Sequence, residues 1–226
     1  LYKNEINNHF FSANQLINIK FSHTLYQNSN LPNIENINGL YLPKGYGAYS
    51  SMYLKFNMQN ISISFEPVIF QKKQYSIEVP EKLKLFSVMN DIPNDSYNEN
   101  SFRNTGITFK NNFFSAGYGN WNQWWGSGIH NSLILSNNAQ GFYHYFVGSR
   151  GFQKINKKLF FEYKYLVSEK IQNNKGINYF FSAWYLNFKY RTFEFGLASN
   201  TLSGGYNDIQ WSLDDALLLS LTKKNI

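Results

Sequence analysis

Residues Met52 to Glu66 read MYLKFNMQNISISFE, and in this stretch apolar and polar side chains alternate on both sides of a short polar centre. If the chain reverses at Gln59-Asn60, Met58 falls opposite Ile61 and all the apolar side chains of the stretch share one face. A slip of one residue would move every apolar side chain to the other face. The pattern therefore predicts a β-hairpin of defined register.

The same construction recurs along the chain, which predicts an antiparallel meander. Leu159, Phe161, Tyr163, Tyr165 and Val167 alternate with Glu162, Lys164 and Ser168, which predicts a strand. Two further turns are predicted at Asn111-Asn112 and at Lys189 to Thr192. The predicted cross-strand pairs are Phe109 with Phe114, Ile107 with Ala116, Trp184 with Leu197, Leu186 with Phe195 and Phe188 with Phe193.

Less regular stretches predict the connections between strands. Asn28 to Gly47 and Pro80 to Asn104 are rich in Asn, Pro or Ser and are expected to be loops. A short helix is predicted near the end of the chain, where Ser212 can cap an apolar turn at Ala216 to Leu221. Asp214-Asp215 would favour the positive N-terminus of that helix.

Two architectures produce such meanders: a soluble sandwich or barrel, and a transmembrane β-barrel. A soluble fold buries its apolar face, whereas a membrane barrel turns that face to lipid and keeps polar side chains in its lumen. Aromatic residues make up 19% of the chain and charged residues only 15%, which favours the membrane barrel. The faces opposite the apolar ones carry Lys55, Glu66, Glu162, Lys164, Asn187 and Glu194. A soluble sandwich alternates in the same way and stays open at this point.

Composition argues against several functional classes. The chain has no cysteine, and no histidine spacing is typical of a metal site, so no metal and no cofactor are expected. No run approaches the roughly 18 apolar residues of a transmembrane helix. The net charge of +7 suits an anionic partner, but no nucleic-acid motif is present. No catalytic signature appears, and Glu162 with Glu194 reads more simply as lumen charge than as a glycosidase pair, so no catalytic residue and no enzyme is predicted.

Residues Asn122 to His144 read NQWWGSGIHNSLILSNNAQGFYH and do not form a simple strand pair, although Ser132 to Ser136 is predicted as a short strand. The stretch resembles the capsule assembly Wzi family of outer-membrane proteins, whose pattern here is Asn-Gln-Trp-Trp-Gly-Pro-Gly and then Ser-Asn-Asn-Ala-Pro-Gly-Phe-Pro-His. The matching positions are Asn122, Gln123, Trp124, Trp125, Gly126, Gly128, Asn131, Ser136, Asn137, Asn138, Ala139, Gly141, Phe142 and His144. The family often has proline at three positions that differ here, namely Ser127, Gln140 and Tyr143, and a basic arginine is common where this chain has His130.

The resemblance implies a barrel of about eighteen antiparallel strands with helical elements on its loops. It extends weakly over Ser50 to Lys224, with Phe86 to Pro93 and Phe193 to Ser199 as flanking matches. A chain of 226 residues is too short to close such a barrel. Residues 1–226 are therefore expected to be one partial transmembrane β-barrel domain, roughly the N-terminal half of a longer protein.

The resemblance also implies function: a lectin-like protein of the Gram-negative outer membrane that binds or organises capsular polysaccharide. Its partners would be that polysaccharide and outer-membrane lipid, and the full-length barrel would be monomeric. A porin-like channel and a soluble carbohydrate-active β-domain are the alternatives.

Aromatic faces stack on sugar rings, and amides bond sugar hydroxyls. The candidate polysaccharide-binding residues are Gln123, Trp124, Trp125, Asn131, Asn137 and Asn138. Each also has a structural interpretation, in which the tryptophans fill the barrel or anchor a turn and the asparagines end a strand. The glycines Gly126, Gly128 and Gly141 are interpreted as backbone devices, and His130 and His144 as structural residues.

Overall fold

The computed structural model describes residues 8–11, 16–29, 44–74, 97–125, 132, 135–137, 141–172 and 176–204. Within these ranges the chain forms β-strands and connections only, and no helix there is long and apolar enough to cross a membrane. The helix predicted at Ala216 to Leu221 and the flanking match at Phe86 to Pro93 lie outside the described residues. The all-β part of the prediction is confirmed.

Twelve strands are present in the described ranges. They are β1 Asn8–Phe11, β2 Ile17–Asn28, β3 Gly45–Met58, β4 Ile61–Gln74, β5 Tyr97–Lys110, β6 Phe114–Gly119, β7 His144–Ser149, β8 Gln153–Lys154, β9 Leu159–Ser168, β10 Ile171–Gln172, β11 Asn178–Tyr190 and β12 Phe193–Gly204. The long strands follow one another in the sheet in chain order, with β9 next to β7 and β11 between β9 and β12. Neighbours along β5–β6–β7–β9–β11–β12 run antiparallel, as a meander requires.

The predicted strand elements are largely confirmed, but two registers are wrong by two residues. β3 ends at Met58 and β4 starts at Ile61, so the first turn lies at Gln59-Asn60 as predicted. In the last hairpin Leu186 pairs with Leu197 rather than with Phe195, because the turn tightens to Arg191-Thr192.

That tighter turn is possible because Arg191 adopts a left-handed backbone conformation with a φ of 53°. In the β5–β6 hairpin Phe109 likewise pairs with Ala116 rather than with Phe114. A shift of two residues keeps every side chain on its predicted face.

Both predicted loops extend too far. Strand β3 begins at Gly45 rather than after Gly47, and strand β5 begins at Tyr97, within the predicted loop Pro80 to Asn104. The first half of β5 reads YNENSFRN, which hides a strand because it shows little apolar alternation. The sequence pattern therefore lacked the signal on which a strand prediction depends.

Burial follows the alternation of side chains, but the polar side chains are buried and the apolar ones are exposed. Along β4, Ser62, Ser64 and Glu66 are buried, whereas the intervening Ile61 and Phe65 are exposed. We call the face of each strand that carries such exposed apolar side chains the outer face, and the opposite face the inner face. From β5 to β12 one inner row runs through Lys110, Ser115, Gly148, Lys164, Tyr185 and Ala198, and the adjacent outer row through Phe109, Ala116, Val147, Tyr165, Trp184 and Ser199.

The described residues divide into two compact units, each with its own small core. The first unit contains β1, β2 and most of β3 and β4, and its core is Tyr26 packed against Phe70, with Tyr49 alongside. The second unit contains β6 to β12, and its core is Trp125 with Leu166 and Ala183. Both cores consist mainly of inner-face side chains.

Strand β5 contains a β-bulge at Asn104. Asn104 has a positive φ of 42°, which asparagine tolerates better than most residues. Phe102 and Ile107 are both exposed although they lie five positions apart, so the alternation changes phase between them. The Asn104 side-chain amide donates a hydrogen bond of 2.6 Å to Oε2 of the buried Glu66. The bulge therefore gives a buried carboxylate a neutral partner.

Replacing Asn104 with alanine should destabilise the protein. Asn104→Ala removes the bond to Glu66 and places a less suitable residue at a positive φ, at an expected cost of about 1–3 kcal/mol in the free energy of unfolding. Urea unfolding followed by circular dichroism measures this cost. Asn18→Ala, in an exposed position of β2, is the matched control and should lie close to the wild type. Equal unfolding midpoints for the two variants would contradict the structural role of the bulge.

Candidate functional site

The segment after β6 turns back over the inner face of the second unit, and Asn120 anchors it there. The Thr105 backbone N–H donates to Asn120 Oδ1 at 2.8 Å, and the Asn120 N–H donates to the Thr105 carbonyl oxygen at 3.1 Å. Asn120 is buried, and its side-chain oxygen takes the place of a backbone carbonyl oxygen next to the β5–β6 ladder. This anchor sets the direction in which residues 121–125 leave the sheet.

Trp121 lies over two glycines that face each other across β5 and β6. Gly106 and Gly119 are register partners, and a β-carbon on either would lie 2.6 Å from Cη2 of Trp121. Any larger residue would displace the indole. The rings of Trp121 and Phe146 form a T-shaped pair with centroids 5.7 Å apart. The absence of side chains at Gly106 and Gly119 thus leaves the space that Trp121 occupies.

Trp125 fills the centre of the second unit. It is 2% exposed and packs against Leu166 and Ala183, while its ring stacks on Tyr185 with centroids 5.8 Å apart. Its backbone N–H donates to the Leu135 carbonyl oxygen at 3.1 Å. Because both its ring and its backbone are engaged, Trp125 has no open face for a sugar.

A buried hydrogen-bond chain joins Trp125, Gln123 and His144. His144 is fully buried, and its Nδ1 lies 2.8 Å from the Phe142 carbonyl oxygen, so Nδ1 carries the proton in the neutral ring. Its Nε2 then accepts from the Gln123 amide nitrogen at 3.2 Å. The Gln123 amide oxygen in turn accepts from the Trp125 indole N–H at 3.4 Å. Each of these bonds has a donor and an acceptor, which fixes both the amide orientation and the tautomer.

A small cavity of about 60 Å³ lies beside this chain, between Gln123, Trp125 and Lys164. That volume has room for water but is well below the size of a ligand pocket. The inner face continues on the other side of Tyr185 as a polar cluster. There Lys164 pairs with Glu162 at 3.1 Å, and the Asn187 amide donates to Glu194 at 2.6 Å. Both carboxylates therefore have polar partners within the inner face.

The predicted site residues separate into distinct groups. Gln123 and Trp125 belong to the buried chain, and Trp124 and Asn137 are half-buried. Gly141 packs so closely under Asn120 that a β-carbon would overlap the Asn120 carbonyl oxygen. The remaining residues of the set lie outside the described residues, namely Gly126, Gly128, Asn131 and Asn138. The strand predicted at Ser132 to Ser136 is wrong for its described residues 132, 135 and 136, because they lie in no strand; the Ser132 hydroxyl instead donates to the Trp125 carbonyl oxygen.

Sequence reasoning missed Asn120, Trp121 and Tyr185 as parts of the site. One signal was available, since a glycine recurs on the inner side of β6 at Gly117 and Gly119. Glycine inside a strand marks a close approach by another group. The sequence predicts a structural role for His144 but not its hydrogen-bond partners, because these depend on the path of the loop.

Comparison of the chain with protein-family models, with curated proteins and with solved structures finds no significant match. The family resemblance of residues Asn122 to His144 stays a prediction based on the motif alone.

Replacing Gln123 with alanine should destabilise the second unit, because His144 Nε2 and the Trp125 indole N–H would both lose their partner in a buried place. Each unsatisfied group costs about 1–3 kcal/mol. Gln153→Ala removes a glutamine whose amide bonds a backbone carbonyl at an exposed site, and serves as the control. Thermal unfolding should show a large fall in midpoint for the first variant and little change for the second. Equal midpoints would show that the chain of hydrogen bonds does not support the loop.

Proposed function

We propose that this chain forms part of a β-barrel in the outer membrane of a Gram-negative bacterium, where it binds or organises capsular polysaccharide. The observation that carries the membrane part is the inverted burial of the strands. Large apolar side chains such as Ile63, Phe195 and Leu197 are exposed, whereas inner positions bury Glu66 and Asn187. Exposed apolar area on this scale is unfavourable in water but favourable in lipid.

A cluster of tyrosines supports this placement. Tyr118 lies on the outer face at the end of β6, and its ring contacts Tyr143 and Tyr145 with centroids 5.6 and 4.7 Å apart. The Tyr118 hydroxyl donates to Glu169 at 2.6 Å. Rings that are apolar on one side and hydrogen-bonded at the tip are typical of a membrane–water interface.

The lengths of the connections support an orientation. Two-residue turns at Gln59-Asn60 and Arg191-Thr192 join strands at one end. At the opposite end, 16 residues of sequence separate Asn28 from Gly45, 22 separate Gln74 from Tyr97, and 24 separate Gly119 from His144. Outer-membrane barrels have short periplasmic turns and long extracellular loops. The segment that contains Trp124 and Trp125 would then belong to the outer, cell-surface end.

Support for the glycan part comes from the motif and from the rigidity of its base. The buried chain through Gln123 and the seated Trp121 hold residues 120–125 in one conformation, which favours binding because little ordering is needed. Within this base Trp125 is a packing residue, and Trp124 is the half-buried tryptophan beside it. A surplus of positive charge suits an acidic capsule.

A porin-like channel is a second candidate, favoured by the ion pair between Lys164 and Glu162 on the inner face. Planar-bilayer recordings of the full-length protein distinguish the two roles. Steady conductance with no retention of capsule would favour the channel, and retention without conductance would favour the lectin-like role. A soluble carbohydrate-active domain is disfavoured by the exposed apolar faces.

A lysine on the outer face should separate membrane from soluble placement. Leu197→Lys puts a charge at an outer position of β12 that is 46% exposed. In lipid it should cost about 2–4 kcal/mol, whereas in water an exposed substitution changes stability by about 0.5 kcal/mol or less. Asn200→Lys, at an exposed inner position of the same strand, is the control. Folding into lipid vesicles is measured by heat-modifiable migration, and equal folding of both variants would argue against a lipid-facing β12.

Deleting the full-length gene tests the glycan role in the cell. We expect capsule to be made but released into the medium, because the protein that holds it at the surface is missing. Surface-bound and released polysaccharide are measured separately, with the restored gene as control. Unchanged surface capsule in the deletion strain would contradict the proposal.

A further inference from the structure

A polar hollow lies at the short-turn end of the second unit, and we call it the turn-end cup. It has a volume of about 170 Å³, and its wall includes Asn57, Ser62, Lys110, Asn111, Asn112 and Arg150. The backbone closes one side of it, because the Lys110 N–H donates to the Asn60 carbonyl oxygen at 2.7 Å. The Arg150 N–H donates to the Phe113 carbonyl oxygen at 3.1 Å and so ties the next turn to the same place. Three turns therefore hold the cup together.

Two of the side-chain amide oxygens at the cup, those of Asn57 and Asn111, are already engaged within the protein. Asn111 Oδ1 accepts from the backbone N–H groups of Phe113 and Phe114, both at 2.8 Å. Asn57 Oδ1 accepts from the Ser62 hydroxyl at 2.6 Å. At Asn111 the group left for a ligand is the amide N–H₂, which is a donor. Asn111 therefore offers a ligand a donor rather than an acceptor.

The charge of the cup favours an anionic ligand. Lys110 and Arg150 both contribute to the wall, and no Asp or Glu does so among the described residues. Arg150 is exposed, and its guanidinium has no hydrogen-bond or ion-pair partner among the residues that the structure describes. A wall that carries two cationic residues and an amide donor suits a carboxylate or another oxyanion.

We propose that the turn-end cup binds the carboxylate of an acidic sugar residue, and this proposal rests on the glycan role proposed above. Because the short turns would face the periplasm in the orientation proposed above, the cup would meet the polysaccharide before it reaches the cell surface. A lipid headgroup fits less well, because Lys110 and Ser115 belong to the inner row, on the opposite side of the strands from the apolar Phe109. The volume of the cup is below the roughly 300–1,000 Å³ of a drug-sized pocket, so the cup accommodates at most one sugar residue. The amides would bond its hydroxyls while the cations hold the carboxylate.

The Asn111→Asp variant tests the cup without disturbing its turn. A carboxylate at position 111 still accepts from the two backbone N–H groups, but it replaces the amide donor with a negative charge. Asn156→Asp is a matched control, because Asn156 Oδ1 accepts from the backbone N–H groups of Lys158 and Leu159 in the same way, both at 2.9 Å, and lies outside the cup. Both variants change the net charge equally.

Binding is measured by calorimetry on the full-length protein in detergent, with glucuronic acid oligosaccharides as probe and neutral glucose oligosaccharides for comparison. We expect Asn111→Asp to weaken binding of the acidic probe by about tenfold or more, since it removes one hydrogen-bond donor and places a negative charge near the bound carboxylate. Asn156→Asp should bind the probe as the wild type does. Arg150→Gln should weaken binding of the probe similarly to Asn111→Asp, and Arg191→Gln, in another turn, should not.

Equal binding of the acidic probe by all variants would overturn the cup while leaving the proposed function intact. Loss of affinity in Asn156→Asp or Arg191→Gln as large as in the cup variants would overturn it too, because it would reduce the effect to net charge. If inorganic phosphate bound at the cup and the glucuronic acid oligosaccharides did not, the acidic-sugar assignment would be wrong. A wild type that bound neither oligosaccharide nor purified capsule would count against the proposed function itself.

Discussion

The whole arrangement depends on one constraint: each strand must keep its apolar side chains on a single face while the ladder satisfies its backbone. Period-two alternation meets this constraint, and antiparallel pairing carries the alternation from strand to strand. In this chain the shared apolar face is the exposed one, as Ile63 and Leu197 illustrate. The buried face is largely polar, with Glu66 and Asn187 among its members. An ordinary water-soluble sheet would have the two faces reversed.

A polar buried face must supply hydrogen-bond partners for its own members, since unpaired groups there are costly. The described part of the chain does so mainly in small sets, and Oδ1 of Asn187 is one buried atom that has no partner there. Gln123 joins His144 to Trp125, Asn104 bonds Glu66, and Asn187 bonds Glu194. The segment after β6 also covers part of the inner face. There the ring of Trp121 occupies the space that Gly106 and Gly119 leave.

The sequence allowed the faces of the strands to be predicted but not all of their registers. Two hairpins are wrong by two residues because a shift of two preserves every face, and only turn details such as the positive φ of Arg191 select between the alternatives. The sequence did not predict the start of β5, because the bulge at Asn104 and a polar residue at an outer position, Asn100, remove the alternation. At the site the motif was visible, whereas the partners of His144 and the seat of Trp121 depend on contacts between distant segments, which one sequence does not reveal.

The central claim is that the outer face contacts lipid, and the absence of cysteine from the chain permits a direct test. Single cysteines placed in turn at positions 193–202 of β12 can carry spin labels in the full-length protein in lipid vesicles. Collision rates with oxygen, which concentrates in lipid, and with a water-soluble nickel chelate are then compared at each position. The account predicts a period of two, with oxygen favoured at Phe195 and Leu197 and the chelate favoured at Glu194 and Gly196. High access of the chelate to Phe195 and Leu197 would contradict it.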